Sequence, residues 1–190
     1  MGRTLTIDEK NRLYYAIMNG RNTGALLYQT PDFNYQMKVE NTRTNVVNKI
    51  NAVGDVAHFL SYGLTMGGLL HMACRDSSQQ VGWNRVVKNA TDRARTTGMF
   101  CVQNQPCTQL VVAGSKYITL YEQGEYESRI INYTDVVQVR IGREGLTFIT
   151  KNAKKPSTYL SYVIKPDVIQ LDKLAMMAVA NCFRYYNYAA

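Results

Sequence analysis

The sequence predicts an α+β fold: a helical N-terminal half packed on a seven-stranded antiparallel meander that a C-terminal helix closes. Three observations carry it. From Gly98 to Ile164, runs of five to eight β-favouring residues alternate with turns bearing Gly, Asn or Pro. After Pro166 the apolar period becomes helical, and before Gly98 apolar residues recur three and four apart. The expected division is 1–97, a helical region, and 98–190, sheet plus terminal helix, as two units or one integrated domain.

The first element is a helix over 6–19, capped by Thr6 with Glu9 three residues on, the spacing of a capping box. Leu13, Ile17 and the Tyr14–Tyr15 pair give it an apolar side, and Gly20 and Gly24 break it. Residues 21–37 read as irregular, with a turn at Pro31–Asp32. A long helix follows over 45–74, with Val46, Ile50, Val53, Ala57, Leu60 and Leu64 on a heptad-like seam. Its stretch 56–74 has no formally charged residue, yet His, Ser, Tyr, Thr and Gly make it too polar for a membrane span. Gly63 and Gly67 suit a close crossing of two helices, and Gly67–Gly68 is a place for a break. A shorter amphipathic helix over 81–97 sets Trp83, Val87, Ala90 and Ala94 on one side. Arg85, Lys88 and Arg95 share another, around Asp92.

Strands are expected at 99–103, 108–113, 116–122, 126–132, 135–141, 145–150 and 157–164. Val137, Val139 and Ile141 alternate with Gln138 and Arg140, and Leu160, Tyr162 and Ile164 flank Ser161. Gly114–Ser115, Gln123–Glu125 and Gly142–Glu144 are short enough for hairpins. After Pro166 and Asp167 the closing helix runs to about Tyr186 and is apolar around most of its circumference. It must therefore be covered on more than one side, by the sheet and by the front helices or a partner chain.

Seven strands and a terminal helix resemble the pleckstrin-homology and GRAM-like superfold over about 98–186, and the stretch Tyr133–Thr150 is similar to the middle strands of its bacterial and GRAM-type members. The resemblance implies a binding module rather than an enzyme. Members that bind phosphoinositides use basic residues beside the first hairpin loop. Here that loop, Gln103–Cys107, carries no Lys or Arg, and Lys151, Lys154 and Lys155 cluster near the last hairpin instead.

No nucleotide-, zinc- or serine-hydrolase motif occurs. His58 and His71 lie about 220° apart on an ideal helix, so they do not converge on a metal, and no cofactor or metal is expected. His71 and Cys74, three residues apart, are the nearest thing to a nucleophile pair, but lack an orienting third group. The four cysteines, Cys74, Cys101, Cys107 and Cys182, form no Cys-x-x-Cys, and the polar, acidic start is unlike a secretory signal. Reduced thiols in the cytoplasm, or in the host cytoplasm of a virus or phage, are the expectation. Abundant Asn, 14 Tyr and only 19% charged residues suit a viral, phage or assembly component.

The function these features favour is non-enzymatic protein binding or assembly, including self-association. The Tyr-rich end, Tyr185, Tyr186 and Tyr188, is the candidate contact because tyrosine joins a large apolar body to a polar tip. The alternative is nucleic-acid binding through Arg85, Lys88 and Arg95, aided by Lys154 and Lys155, since the net charge is +8. An enzyme of unfamiliar type comes third.

Overall fold

The computed structural model describes residues 2–42, 68–125 and 127–186, over 68–79 the backbone alone. It is α+β, with three helices and nine strands in two sheets among these residues. Most of the predicted helix over 45–74, with His58 and the Gly63–Gly67 contact, lies outside the described residues, as does Tyr188.

Helix α1 spans Ile7–Thr23. Its capping box forms: Glu9 N–H donates to Thr6 Oγ1 at 3.3 Å, and Thr6 N–H donates to Glu9 Oε2 at 2.8 Å. Arg3 adds a 2.7 Å ion pair, and together these hold the Glu9 carboxyl down at about 2. Contrary to expectation, α1 does not break at Gly20. That glycine packs inward, where a Cβ would sit 2.5 Å from Ala25 Cβ and 2.8 Å from Ile141 Cγ2. The helix ends instead at Gly24, whose φ of +88° suits glycine.

The stretch 21–37, expected to be irregular, holds one strand before the anticipated turn, and a second strand follows just beyond it at 38–41, where no element was expected. Strand β1, Ala25–Gln29, pairs antiparallel with a later strand, and its register shifts between Leu26 and Tyr28. That shift spoils the alternation a sequence pattern would display. Strand β2, Lys38–Asn41, is a short, largely exposed edge strand with no apolar period at all. Its pairing partner alone defines it.

Helix α2 runs unbroken from Gly68 to Thr97. The expected separation between a helix ending at 74 and another starting at 81 is absent, because 75–80 contains neither Gly nor Pro. Trp83, Ala90 and Ala94 are buried against Leu110 and Val112, and Trp83 Nε1 donates to Cys107 O at 2.6 Å.

The seven back-half strands form at nearly the expected positions but do not make one meander. Strands β3 (Phe100–Gln103), β4 (Gln109–Ala113), β5 (Tyr117–Glu122) and β6 (Arg129–Asn132) make a four-stranded antiparallel sheet. After a 3₁₀ turn at Tyr133–Asp135, β7 (Val136–Gly142), β8 (Gly145–Lys151) and β9 (Thr158–Ile164) form a second sheet. The N-terminal strands join its two edges in the order β1-β7-β8-β9-β2, with β2 parallel to β9. Every residue of β4 is buried. Leu110 and Val112 face α2 while Val111 and Ala113 enter the main core, which explains why this strand shows no polar face.

Helix α3, Leu171–Tyr185, buries Leu171, Leu174, Ala175, Ala178, Val179 and Cys182. It packs on α1, β1 and the 3₁₀ turn. The expected multi-sided cover of this apolar helix thus comes from its own chain, including the front helix α1. Leu13 and Ile17 of α1 share one core with Phe148, Ile164 and Leu174.

A polar network ties the sheets together. Gln109, fully buried, donates from Nε2 to Glu122 Oε1 at 2.9 Å and to Val163 O at 3.0 Å, and accepts from Lys165 N–H at 2.7 Å. Glu122 also pairs with Arg129, each side chain only 12% exposed. Arg129 donates onward to Thr42 Oγ1, which itself donates to Ser161 O at 2.9 Å.

Candidate functional site

Of the predicted contact tyrosines, Tyr185 and Tyr186 are half-buried. Tyr185 stacks on buried Tyr133 with ring centroids 6.4 Å apart, and Tyr186 meets Tyr28 edge-on at 6.4 Å. Both pack against the main core, so much of their area is used within the chain. The basic residues of α2 do share an exposed face. Arg85, Lys88 and Arg95 fall within about 80° of helical turn, opposite Trp83, Ala90 and Ala94. Arg95 lies 4.0 Å from Asp92 on that face. Lys154 and Lys155 sit elsewhere, in the β8–β9 turn of the second sheet. Asn152 Oδ1 accepts from both of their backbone N–H groups, and Lys155 Nζ donates to Glu40 at 3.4 Å. No described contact joins that turn to α2.

His71 and Cys74 belong to the stretch of α2 described by backbone alone. Burial pushes the thiols of Cys101 and Cys107 up from the ordinary cysteine value, the reverse of what activates a nucleophile. Among the described residues no three His, Cys, Asp or Glu side chains converge as metal ligands. Nor is any described helix long and apolar enough to cross a membrane.

One surface is not evident from the sequence. Leu13, Ile17, Tyr14 and Tyr15 read as one apolar side of α1, but the helix parts them: Leu13 and Ile17 turn inward, the tyrosines outward. Ile7, Tyr14 and Met18 lie within about 40° of one another on the outer side. They are 77%, 49% and 44% exposed, and Tyr15 beside them is 66% exposed. The tyrosine rings meet edge-on with centroids 5.8 Å apart. An outward stripe of large apolar groups has no role in the core. The spacing of Ile7, Tyr14 and Met18 is the signal that could have found it.

Two cavities flank α1. One, of about 240 Å³, lies between α1, β1 and α3 with apolar walls that include Leu13, Leu27 and Phe183. It is smaller than the ~300–1,000 Å³ usual for ligand pockets and suits one inserted side chain. The other, of about 470 Å³, opens at the C-terminal end of the stripe and is polar. Met18, Arg21 and Asn22 of α1 line it with Gly142, Arg143 and Pro166. Arg21 Nη2 donates to Pro166 O at 3.3 Å, and Arg143 Nε donates to Asn22 O at 3.0 Å. These bonds tether both guanidinium groups at the cleft. Chemically the arrangement offers apolar contact area ending in two anchored cations. The chain matches no protein-family model, no curated protein and no solved structure.

Proposed function

We propose that this chain is a non-enzymatic protein-binding or assembly module on a pleckstrin-homology-like scaffold. The observation that carries the reading is the outward stripe of Ile7, Tyr14, Tyr15 and Met18 on α1. Aromatic residues and Met are enriched where protein surfaces meet, and clustered exposure of this kind marks an interaction site more often than a solvated face. The scaffold reading is supported by strand order: four strands, then three, then a terminal helix over the stretch that carries the resemblance. The strands added by 25–41 are a departure from that pattern. With α3 covered internally, the contact moves from the tyrosine-rich end to α1. A composition rich in Tyr and poor in charge supports a phage or viral assembly or host-interaction role.

Light scattering on size-exclusion fractions, with nuclease added, tests this. The wild-type chain is expected as a defined oligomer, or with a co-eluting protein that survives nuclease. Tyr14→Ser/Tyr15→Ser/Met18→Ser should abolish that association while the melting temperature stays within a few degrees, as exposed positions contribute little to stability. A wild-type monomer without any co-eluting protein would remove the proposal.

A second reading, nucleic-acid binding, is favoured by the exposed Arg85, Lys88 and Arg95 face. Every phosphate no longer neutralised by a basic side chain should flatten the dependence of log K on log salt by about 0.9 on duplex DNA. Replacing all three residues with Gln is therefore expected to reduce the slope by roughly 2–3. Absence of binding at low salt would dispose of this reading.

A further inference from the structure

We propose that the Arg21–Arg143 cleft is a carboxylate subsite, receiving an acidic residue of a protein segment that lies along the α1 stripe. The inference rests on the protein-binding reading and specifies the chemistry of the partner. Its first support is placement. Met18 belongs both to the exposed stripe and to the cleft wall, so the apolar surface runs into the polar one without interruption. Arg21 follows one helical turn later, about 60° around from Met18, on the same side of α1. From Ile7 to Met18 the stripe is about 16 Å long, the reach of roughly five extended residues.

Charge is the second support. Two guanidinium groups contribute to the cleft, and no Asp or Glu lines it. Glu144 follows Arg143 in the exposed hairpin turn, and Asp167 accepts from Asn104 Nδ2 at 3.2 Å. Among the described residues no carboxylate pairs with Arg21 or Arg143; what holds them is backbone carbonyls. Each guanidinium has five N–H donors, of which the described bond engages one. The remaining donors can bind a carboxylate in the two-pronged geometry that favours arginine over lysine. Anchoring through Pro166 and Asn22 lowers the ordering cost of that capture. An apolar and aromatic approach ending in paired cations fits a peptide with large apolar residues followed by Asp or Glu.

A peptide-display selection on the immobilised full chain tests the subsite. Wild type is expected to enrich peptides with apolar or aromatic residues followed by Asp or Glu. A synthetic copy of a selected peptide should bind at least about tenfold tighter than its Asn/Gln counterpart. That preference should vanish in Arg21→Gln/Arg143→Gln, with the apolar preference retained. Met18→Glu keeps both arginine–carbonyl bonds but puts a competing carboxylate at the lip, and it should weaken the acidic preference too. Thermal melts of both variants check that the fold persists, and Met18→Glu decides alone if the arginine variant does not fold. An acidic preference that survives in the folded variants overturns the subsite. Apolar peptides without acidic residues also overturn it, but leave the α1 reading standing. If wild type selects no peptide, the subsite falls, and the light-scattering result alone decides the α1 reading.

Discussion

Arg129→Met is expected to cost about 3 kcal/mol of stability, a drop in melting temperature of roughly 6–12 °C for a chain of this size. The guanidinium of Arg129 compensates Glu122 where both side chains are only 12% exposed. Removing it leaves a carboxylate in low dielectric with Gln109 Nε2, at 2.9 Å, as its remaining described side-chain donor. Losing one partner of a buried pair costs more than the pair itself contributes, because the desolvation of the survivor is no longer offset. Loss of the Thr42 contact adds to this, since Arg129 reaches across from β6 to the chain that follows β2. The double change Glu122→Leu/Arg129→Met should recover much of the loss, because no unpaired charge remains. Urea unfolding of the four species of the cycle measures the coupling. A single variant within about 0.5 kcal/mol of wild type, the range of an ordinary surface substitution, would mean the pair is effectively solvated.

Gly145→Ala should be at least as damaging, and for a different reason. Gly145 opens β8 with φ of +111°, and a Cβ there would lie 1.9 Å from Ile164 O. That atom is backbone of the neighbouring strand β9, which pairs with β8 from Leu146↔Ile164 onward. It cannot yield without parting the two strands at their ends. Gly24→Ala isolates the conformational part of the effect. Gly24 also has positive φ, +88°, but nothing lies within 4 Å of its added Cβ. Gly24→Ala is therefore expected to lose about 1 kcal/mol, and Gly145→Ala more than about 3 kcal/mol. Equal losses would show that conformation, and not the clash with Ile164, governs the β7–β8 hairpin.

The seven strands over 100–164, their hairpins and helix α3 were legible because each is a local pattern. Alternation in β7 and β9, Gly at the turns and a 3.6-residue period after Pro166 need no knowledge of distant residues. The cap at Thr6 was equally local. What escaped detection depends on partners remote in the chain. Strand β2 has no period of its own and exists through its register with β9. A register shift hid β1. Gly20 reads as a helix breaker until Ile141, 121 residues away, is seen to occupy the space a side chain would need.

The candidate site divides along the same line. The exposed basic face of α2 could be read directly, because Trp83, Ala90 and Ala94 define the buried side by spacing alone. On α1 the apolar residues cover two sides, and spacing cannot say which one meets a core. The sequence by itself determined an α+β chain, its capping box, seven strands and a terminal helix too apolar to stand uncovered. Only the tertiary structure decided that α1 and β1 supply part of that cover, which leaves Tyr14, Tyr15 and Met18 outward. It also brought Arg21 and Arg143 to one cleft. The physical reason is that local periodicity reports how a segment divides into faces, whereas burial is assigned by the non-local packing that satisfies all the apolar faces at once.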